Sequence, residues 1–523
     1  MSIKSLDKTF DLLQKSSACA SGVSTIMAAL DIFQGKPSTP PTNQIELGSD
    51  NLALGSDRLD PNVDVSINGN TITFKGNGDT IFNKYLIQKH ILTKTITKVV
   101  INNFKGIEAK AFQNSSIRTL NLDSVENIGH SAFISCVTLK TINLASVENI
   151  GNYAFYGCID LTTINLDLVK NIGNNAFTYC SALTTINLGS LKIIGTNLFY
   201  GCSALTTIQI GTSVETIGDS AFSQCYALTT INIASVETIG DSAFNGCSAL
   251  TTINLGLVKN IGDSAFSQCN ALTTINLGSV KNIGNNAFYN CSALTLIPIK
   301  LDSIITIGKS AFNGCSALTD ITLGNLLETI SDDAFSTCYA LTTVNFGNSI
   351  TKIGNSAFYS CSLTKLPLIK NLKTIGDYAF AGCYNLTKIF IGNSLKIIGN
   401  YAFNNCDSLK EIPLSDSLEI IGDYAFAGCS NLTKISIGSS LKTIRNYAFN
   451  NCISLEEIII YYYLYKDVIV YGNNSFVGCT ALTKVIISDI MAKKLNRALN
   501  SPSKVNFFGS PNKVNLKLPK INF

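Results

Sequence analysis

The sequence predicts an α/β repeat protein, an open solenoid in which each turn adds one short strand to a parallel sheet. Three observations lead there. The chain has 523 residues, beyond a single-core domain of roughly 100–200 residues, so it must divide into several cores or grow as an array. Its apolar content is 46% against 14% charged, yet no unbroken apolar run approaches the roughly 18 residues of a membrane span. A phenylalanine returns at 112, 133, 155, 177, 199, 222, 244, 266 and 288, then at 312, 335, 358, 380, 403, 426, 449 and 476, which predicts seventeen turns.

The unit explains how each turn is built. From Cys180 the chain reads C-S-A-L-T-T-I-N-L-G-S-L-K-I-I-G-T-N-L-F-Y-G, and Cys202 begins the same pattern again. The common form is C-x-x-L-x-x-I-x-L-x-x-V-x-x-I-G-x-x-A-F-x-x. Its L-T-T-I-N-L block alternates apolar and polar residues, the mark of a strand buried on one face. A second apolar pair follows, such as Val280 and Ile283, and then Gly284, read as a tight backbone turn. The Asn285-Asn286-Ala287-Phe288 segment suits a brief helical or irregular return. One unit cannot bury its apolar side chains alone, whereas neighbours stacked about 4.8 Å apart can.

The L-x-x-I-x-L, I-G-x-x-A-F and C-x-x-L blocks resemble the BspA-type (Treponema-type) leucine-rich repeat, over about residues 104–488. The resemblance implies a leucine-rich-repeat solenoid with its parallel sheet on the concave face and an irregular or short helical convex side. It also implies binding of a protein ligand, since similar proteins are surface adhesins of bacteria and protists that hold host or extracellular-matrix proteins. By resemblance the chain is expected at the cell surface or secreted. A cytoplasmic location is the alternative, because Lys4, Lys8 and Lys15 are interrupted by Asp7 and Asp11 and do not read as a signal peptide. The alternative function is an intracellular or translocated effector that holds a host protein on the same scaffold.

The domains follow from breaks in the rhythm. Residues 1–35 read as a helical leader, and 36–62, opening on Pro37-Ser38-Thr39-Pro40-Pro41, as a flexible linker. Residues 63–104 read as a β-rich N-terminal cap with a hairpin at Asn68-Gly69-Asn70. The solenoid spans 105–488, and 489–523 forms a C-terminal cap opening on a short helix. The Tyr461–Tyr471 insert reads as cap packing, with an exposed recognition loop as the alternative.

Composition argues against several chemistries. The net charge of +4 is small for this length, and lysines alternate with glutamates, so there is no nucleic-acid or anionic-membrane footprint. Sixteen of the seventeen cysteines recur every 22–24 residues with one longer last step, and none forms a C-x-x-C pair. The two histidines, His90 and His130, stand apart from them. Cysteines stacked in register point the same way, unlike the facing geometry of a disulfide, so reduced, buried thiols are predicted. No catalytic constellation, metal site or cofactor loop is expected.

The outer strand positions divide the array. In the first half they repeat as Thr119, Thr141, Thr163 and Thr185 with Asn121, Asn143, Asn165 and Asn187, a uniform face expected to hydrogen-bond along itself. An ice- or carbohydrate-binding role for that ladder is a further alternative. From the ninth turn the positions become Leu296 and Pro298, Asp320, Lys365 and Pro367, Lys388 and Phe390, Glu411 and Pro413, Lys434, and Glu457. Mixed charge with an outward aromatic resembles a protein-binding surface, so Leu296, Asp320, Lys365, Lys388, Phe390, Glu411, Lys434 and Glu457 are the candidate site. Unselected drift of an idle face is the competing reading. A second ladder, Glu126, Glu148, Lys170, Lys192, then Glu215, Glu237, Lys259, Lys281, repeats after 89 residues and reads as a duplicated four-turn block with a solvated rim.

Overall fold

Among the described residues, a complete turn carries two strands, one more than the alternation predicts. The L-x-x-I-x-L block supplies the expected one: Thr163–Asn165, Thr185–Asn187 and Thr207–Gln209 pair in parallel and in register. The V-x-x-I block supplies a second, two-residue strand, as in Asn260–Ile261 beside Asn282–Ile283. The two kinds of strand build separate parallel ladders. Two residues are too few to show a period, which is why the second ladder is silent in the sequence.

In the computed structural model, which describes residues 63–86, 96–189, 191–295, 301–460, 470–487, 506–510 and 513–517, the result is a parallel β-solenoid of about sixteen turns with almost no helix. Counting by cysteine gives sixteen turns and by phenylalanine seventeen, because the first unit carries Ser115 in the cysteine position.

The return segment is irregular, and the backbone shows why. Residues two before and two after each phenylalanine adopt left-handed angles, as do Ser264 (φ 56°) and Gln268 (φ 60°) around Phe266. A right-handed helix cannot run through such positions. Hydrogen bonds run along the stack instead: the Phe266 N–H donates to the Ala287 carbonyl of the next turn at 2.7 Å. Gly284 corrects the sequence reading in its reason. It is not left-handed; a Cβ there would lie 2.6 Å from backbone atoms of Gly262 and Asp263. Close approach between turns, not turning, requires the glycine.

The core is a set of one-residue columns. From Phe82 to Phe476 the phenylalanine rings stack in an unbroken file with centroids 4.9–5.6 Å apart. Beside it the sixteen repeat cysteines are free thiols, all buried except the half-buried Cys479. Each thiol also does something a plain hydrophobe cannot. Cys247, Cys269 and Cys291 donate from Sγ to the carbonyls of Phe222, Phe244 and Phe266 in the preceding turn at 3.2, 3.2 and 3.1 Å. Burial pushes the thiols from Cys158 to Cys429 up, to about 12 at Cys291, Cys338, Cys383 and Cys429, so these stay protonated at neutral pH.

At the N-terminal end Thr71–Lys75 and Lys98–Asn102 stack in parallel ahead of Thr119–Leu122. Asp64–Asn68 folds back on Thr71–Lys75 through Gly69 and Asn70, with Gly69 at φ 59°. At the other end Lys513–Lys517 pairs antiparallel with both Lys484–Ile487 and Asn506–Ser510. These elements belong to one compact unit, Leu59–Phe523. The leader, the linker up to residue 62, residues 461–469 of the tyrosine insert and the helix expected after residue 489 lie outside the described residues.

Candidate functional site

The strand ladder sets the geometry of the candidate surface. Lys365, Lys388, Glu411, Lys434 and Glu457 occupy the same register position in five successive parallel strands, and Lys484 extends the column into a sixth. Phe390 stands two residues after Lys388 and therefore on the same side of its strand. Thus six of the eight predicted residues share one sheet. Asp320 does not: it pairs with Thr343 in a separate two-stranded sheet, two turns before Lys365. Leu296 and Pro298 lie outside the described residues. Lys484 escaped the sequence reading, although the same outer position of the last unit would have found it.

Charge along the column is committed at one end and open at the other. Glu457 is flanked by Lys484, with which it forms an ion pair, and by Lys434 at 3.2 Å. Those two ammonium groups, Lys484 foremost, hold its carboxyl below the ordinary glutamate range despite partial desolvation. Lys388 instead places its ammonium 4.6 Å from the centre of the Phe390 ring. Glu411 sits in register between Lys388 and Lys434 but makes no ion pair among the described residues, since its neighbours have turned elsewhere. Lys365 faces Lys388 directly.

A break in register completes the patch. Between Leu366 and Ile369 the pairing with the next strand slips, and Leu368 is left 53% exposed. Phe390 is 41% exposed. Bulges re-aim side chains in this way. Two lysines, a leucine and a phenylalanine therefore meet solvent together over two adjacent turns.

The first-half face is organised differently. Asn165, Asn232, Asn254 and Asn276 accept the backbone N–H two residues on at 2.9–3.2 Å, closing the end of each strand. Asn143 also donates to Asn121 at 3.0 Å. The hydroxyls that run along the stack belong to the preceding threonine: Thr184, Thr206 and Thr251 donate to the carbonyls of Thr162, Thr184 and Thr229 at 3.2–3.3 Å. The charge rim forms pairs at the surface, the exposed Glu148 with Lys170 at 2.8 Å and the half-buried Glu419 between the exposed Lys442 and Lys396 at 2.8 and 3.4 Å. At this exposure each contributes little.

Two further columns were missed by sequence reasoning. After the glycine, an Asp or Asn accepts the N–H of its counterpart one turn later: Asp219 from Asp241, Asp241 from Asp263, and Asp263 from Asn285, at 2.7–2.9 Å. The recurring I-G-[DN] triplet was the available signal. The other column is a run of tyrosines at 378, 401, 424 and 447, visible as alternating D-Y-A-F-A-G-C and N-Y-A-F-N-N-C. Among the described residues no three His, Cys, Asp or Glu side chains form a metal-binding group, and no helix is long and apolar enough to cross a membrane.

The BspA type leucine rich repeat region is matched six times, over residues 70–184, 105–214, 170–295, 251–365, 305–416 and 373–506. The chain belongs to the BspA-type leucine-rich-repeat family. Leucine-rich-repeat proteins of this kind are in general binding scaffolds for protein ligands rather than enzymes. This BspA-type chain is similar to a leucine-rich repeat protein from Bacteroides ovatus at 22% identity, over 82% of this chain and 94% of that one, with a TM-score of 0.44. It is similar to a leucine rich cell surface protein from Faecalibacterium prausnitzii at 24% identity, over 77% and 94%, with a TM-score of 0.33. A leucine rich repeat protein of T. pallidum matches at 20% identity over 40% and 88%, with a TM-score of 0.27. Among curated proteins no sequence is significantly similar to this chain.

Proposed function

We propose that the chain is a non-enzymatic scaffold that docks a protein ligand on the second-half strand face. The docking surface centres on Lys365, Leu368, Lys388 and Phe390, with Glu411, Lys434 and Glu457 on one flank and Asp320 on the other. One observation carries this reading: two lysines face each other in register with no carboxylate between them, beside an exposed leucine and phenylalanine. Held side by side at the strand spacing of about 4.8 Å, two like charges would repel by about 0.9 kcal/mol even in water, and Lys388 turns its ammonium over Phe390 instead. A ligand carboxylate between them would reverse that sign, while Phe390 and Leu368 would supply the apolar anchor.

The role we assign is adhesion, at the cell surface or after secretion, toward host or extracellular-matrix proteins. Membership of the family supports the binding part; the location is our proposal. An effector working inside a host cell would use the same face. Two experiments test the reading. Affinity capture from host-cell and matrix extracts is compared between wild type, a Lys365→Ala/Lys388→Ala/Phe390→Ala variant and a Thr185→Ala/Asn187→Ala variant. A ligand held by wild type and the first-half variant but lost by the second-half variant is expected; equal loss from both refutes the location of the site. Surface protease shaving of intact source cells should release peptides of this chain, and recovery only from cytosol would defeat the adhesion role.

A further inference from the structure

The small net charge of the chain is an average, and one stretch departs from it. Residues 350–400 hold six lysines and a single aspartate, a balance of +5 where the whole chain carries +4. The aspartate is already committed: Asp377 accepts the Asn400 N–H at 2.7 Å, in the column after the glycine. Lys396 is committed too, paired with Glu419 at 3.4 Å. Lys352, Lys365, Lys370, Lys373 and Lys388 remain. All five are exposed, and none makes an ion pair among the described residues. Rim lysines of the first half can answer a glutamate one turn before, as Lys170 answers Glu148 and Lys259 answers Glu237. Lys373 has Thr351 in that place.

Pairing between turns places these five lysines in one belt. Lys365 lies in register with Lys388 on the strand face. The chain then rounds a corner at Lys370 and Asn371, where the Leu372 N–H donates to the Ile369 carbonyl at 3.4 Å. The Asn371 amide ties that corner to the preceding turn through the Asn348 carbonyl at 2.7 Å. Past the corner, the Lys373 N–H donates to the Thr351 carbonyl at 2.8 Å, and Lys352 pairs in register with Thr374. Lys352 and Lys373 are therefore diagonal neighbours in adjacent turns. Lys365, Lys370 and Lys373 follow a single turn from the strand face to the second ladder, with Lys388 one turn after and Lys352 one turn before. At most about 28 Å of extended chain separates Lys365 from Lys373. Leu368 and Phe390 stand exposed at the strand-face end.

We propose that the belt receives an extended acidic segment of the protein ligand, which lays carboxylates along the five lysines and an apolar side chain on Leu368 and Phe390. This rests on the docking surface proposed above and adds the charge, shape and path of what docks there. A flat partner would meet the lysines of one face only, whereas a segment can follow the chain round the corner. Lysine is a point charge on a flexible stem, so it selects the sign of a partner rather than one head group. The apolar pair makes the further choice. A peptide can alternate acidic with apolar residues, while a sulfated glycan brings no side chain to cover Leu368 and Phe390. Grouped like charges also speed association with a partner of opposite sign, an effect that salt screens.

The test uses the full chain and fluorescence anisotropy with a labelled peptide of about ten residues, long enough to span the belt, rich in glutamate with leucine at intervals. Its counterpart with glutamine for glutamate, heparin and poly(U) are run beside it. Wild type should bind the acidic peptide saturably, hold the glutamine peptide roughly tenfold more weakly, and lose affinity as salt rises from about 0.05 to about 0.3 M. Lys352→Gln/Lys370→Gln/Lys373→Gln leaves the strand face untouched and should weaken binding roughly tenfold. Lys105→Gln/Lys140→Gln/Lys192→Gln removes the same charge from other turns and should change nothing. Loss of the peptide from both the corner variant and Lys365→Ala/Lys388→Ala/Phe390→Ala supports the proposal. Loss from the strand-face variant alone overturns it while leaving the docking surface intact, and loss from neither overturns both. Heparin or poly(U) held more tightly than the peptide by the same lysines would overturn the assignment to a peptide.

Discussion

The column of Asp and Asn side chains after the glycine makes a prediction in which charge and hydrogen bonding can be told apart. Asp241 accepts the Asp263 N–H at 2.7 Å, and its own N–H donates to Asp219. One turn separates each carboxylate from the next, and the phenylalanines of those turns lie 5.3 and 5.2 Å apart. At about 5 Å in water, each neighbouring like charge costs about 0.8 kcal/mol. Asp241→Asn and Asp241→Ala both remove that repulsion. Only Asn keeps an oxygen for the Asp263 amide. The difference between the two variants therefore isolates the cap, expected at about 1 kcal/mol in favour of Asn. Urea unfolding should place Asn at or above wild type and Ala below Asn. Hydrogen exchange of the Asp263 amide should run about fivefold faster in Ala than in Asn. If the two variants unfold and exchange alike, the column is a solvated rim and the capping argument fails.

The remaining predictions concern the core and the charged strip. Gly284→Ala forces a Cβ to 2.6 Å from the preceding turn, and should destabilise by about 1–3 kcal/mol in urea titration; a neutral outcome would show that the turns can separate there. In native protein at pH 8 without reductant, Ellman's reagent should spare the fifteen buried repeat thiols and, among the repeat thiols, reach Cys479 first. Fast reaction of Cys269 or Cys291, followed by peptide mapping, would contradict the ladder. Glu457 has its pKa depressed by Lys484 and Lys434, so its contribution is fully present above the ordinary glutamate value of about 4.3 and is lost as pH falls through the lower folded value. The stability gap between wild type and Glu457→Gln should be below about 1 kcal/mol at pH 7 and close on acidification below about pH 4. A gap that persists at pH 2 would rule out the ion pairs as its source.

How far the sequence reveals this molecule depends on whether a feature repeats as a pattern of side chains or as a relation between turns. The strand Thr185–Asn187 was legible because Leu183, Ile186 and Leu188 alternate with polar residues, and the buried thiols because Cys180 and Cys202 recur with the core. The short strand Ile193–Ile194 was not legible, since two residues carry no period. The role of Gly284 was misread because a glycine has two uses, and only the neighbouring backbone tells them apart. On the candidate face, the alignment of Lys365 with Lys388 followed from spacing, whereas the exposure of Leu368 depends on a slip in register that spacing does not encode.

The inter-turn bonds have a consequence for the length of the molecule. The Cys269 thiol meets the Phe244 carbonyl just as Cys247 meets Phe222, and Asp263 caps its successor as Asp241 does. Over these turns the junctions are chemically alike. Removing residues 246–267 would join Asn245 to Gln268 and bring Cys269 to Phe222, restoring the contact that Cys247 had made. Length in this fold is therefore a separate variable from architecture. Recombination between near-identical turns can lengthen or shorten the display surface in whole steps, with no intermediate that must be redesigned to fold.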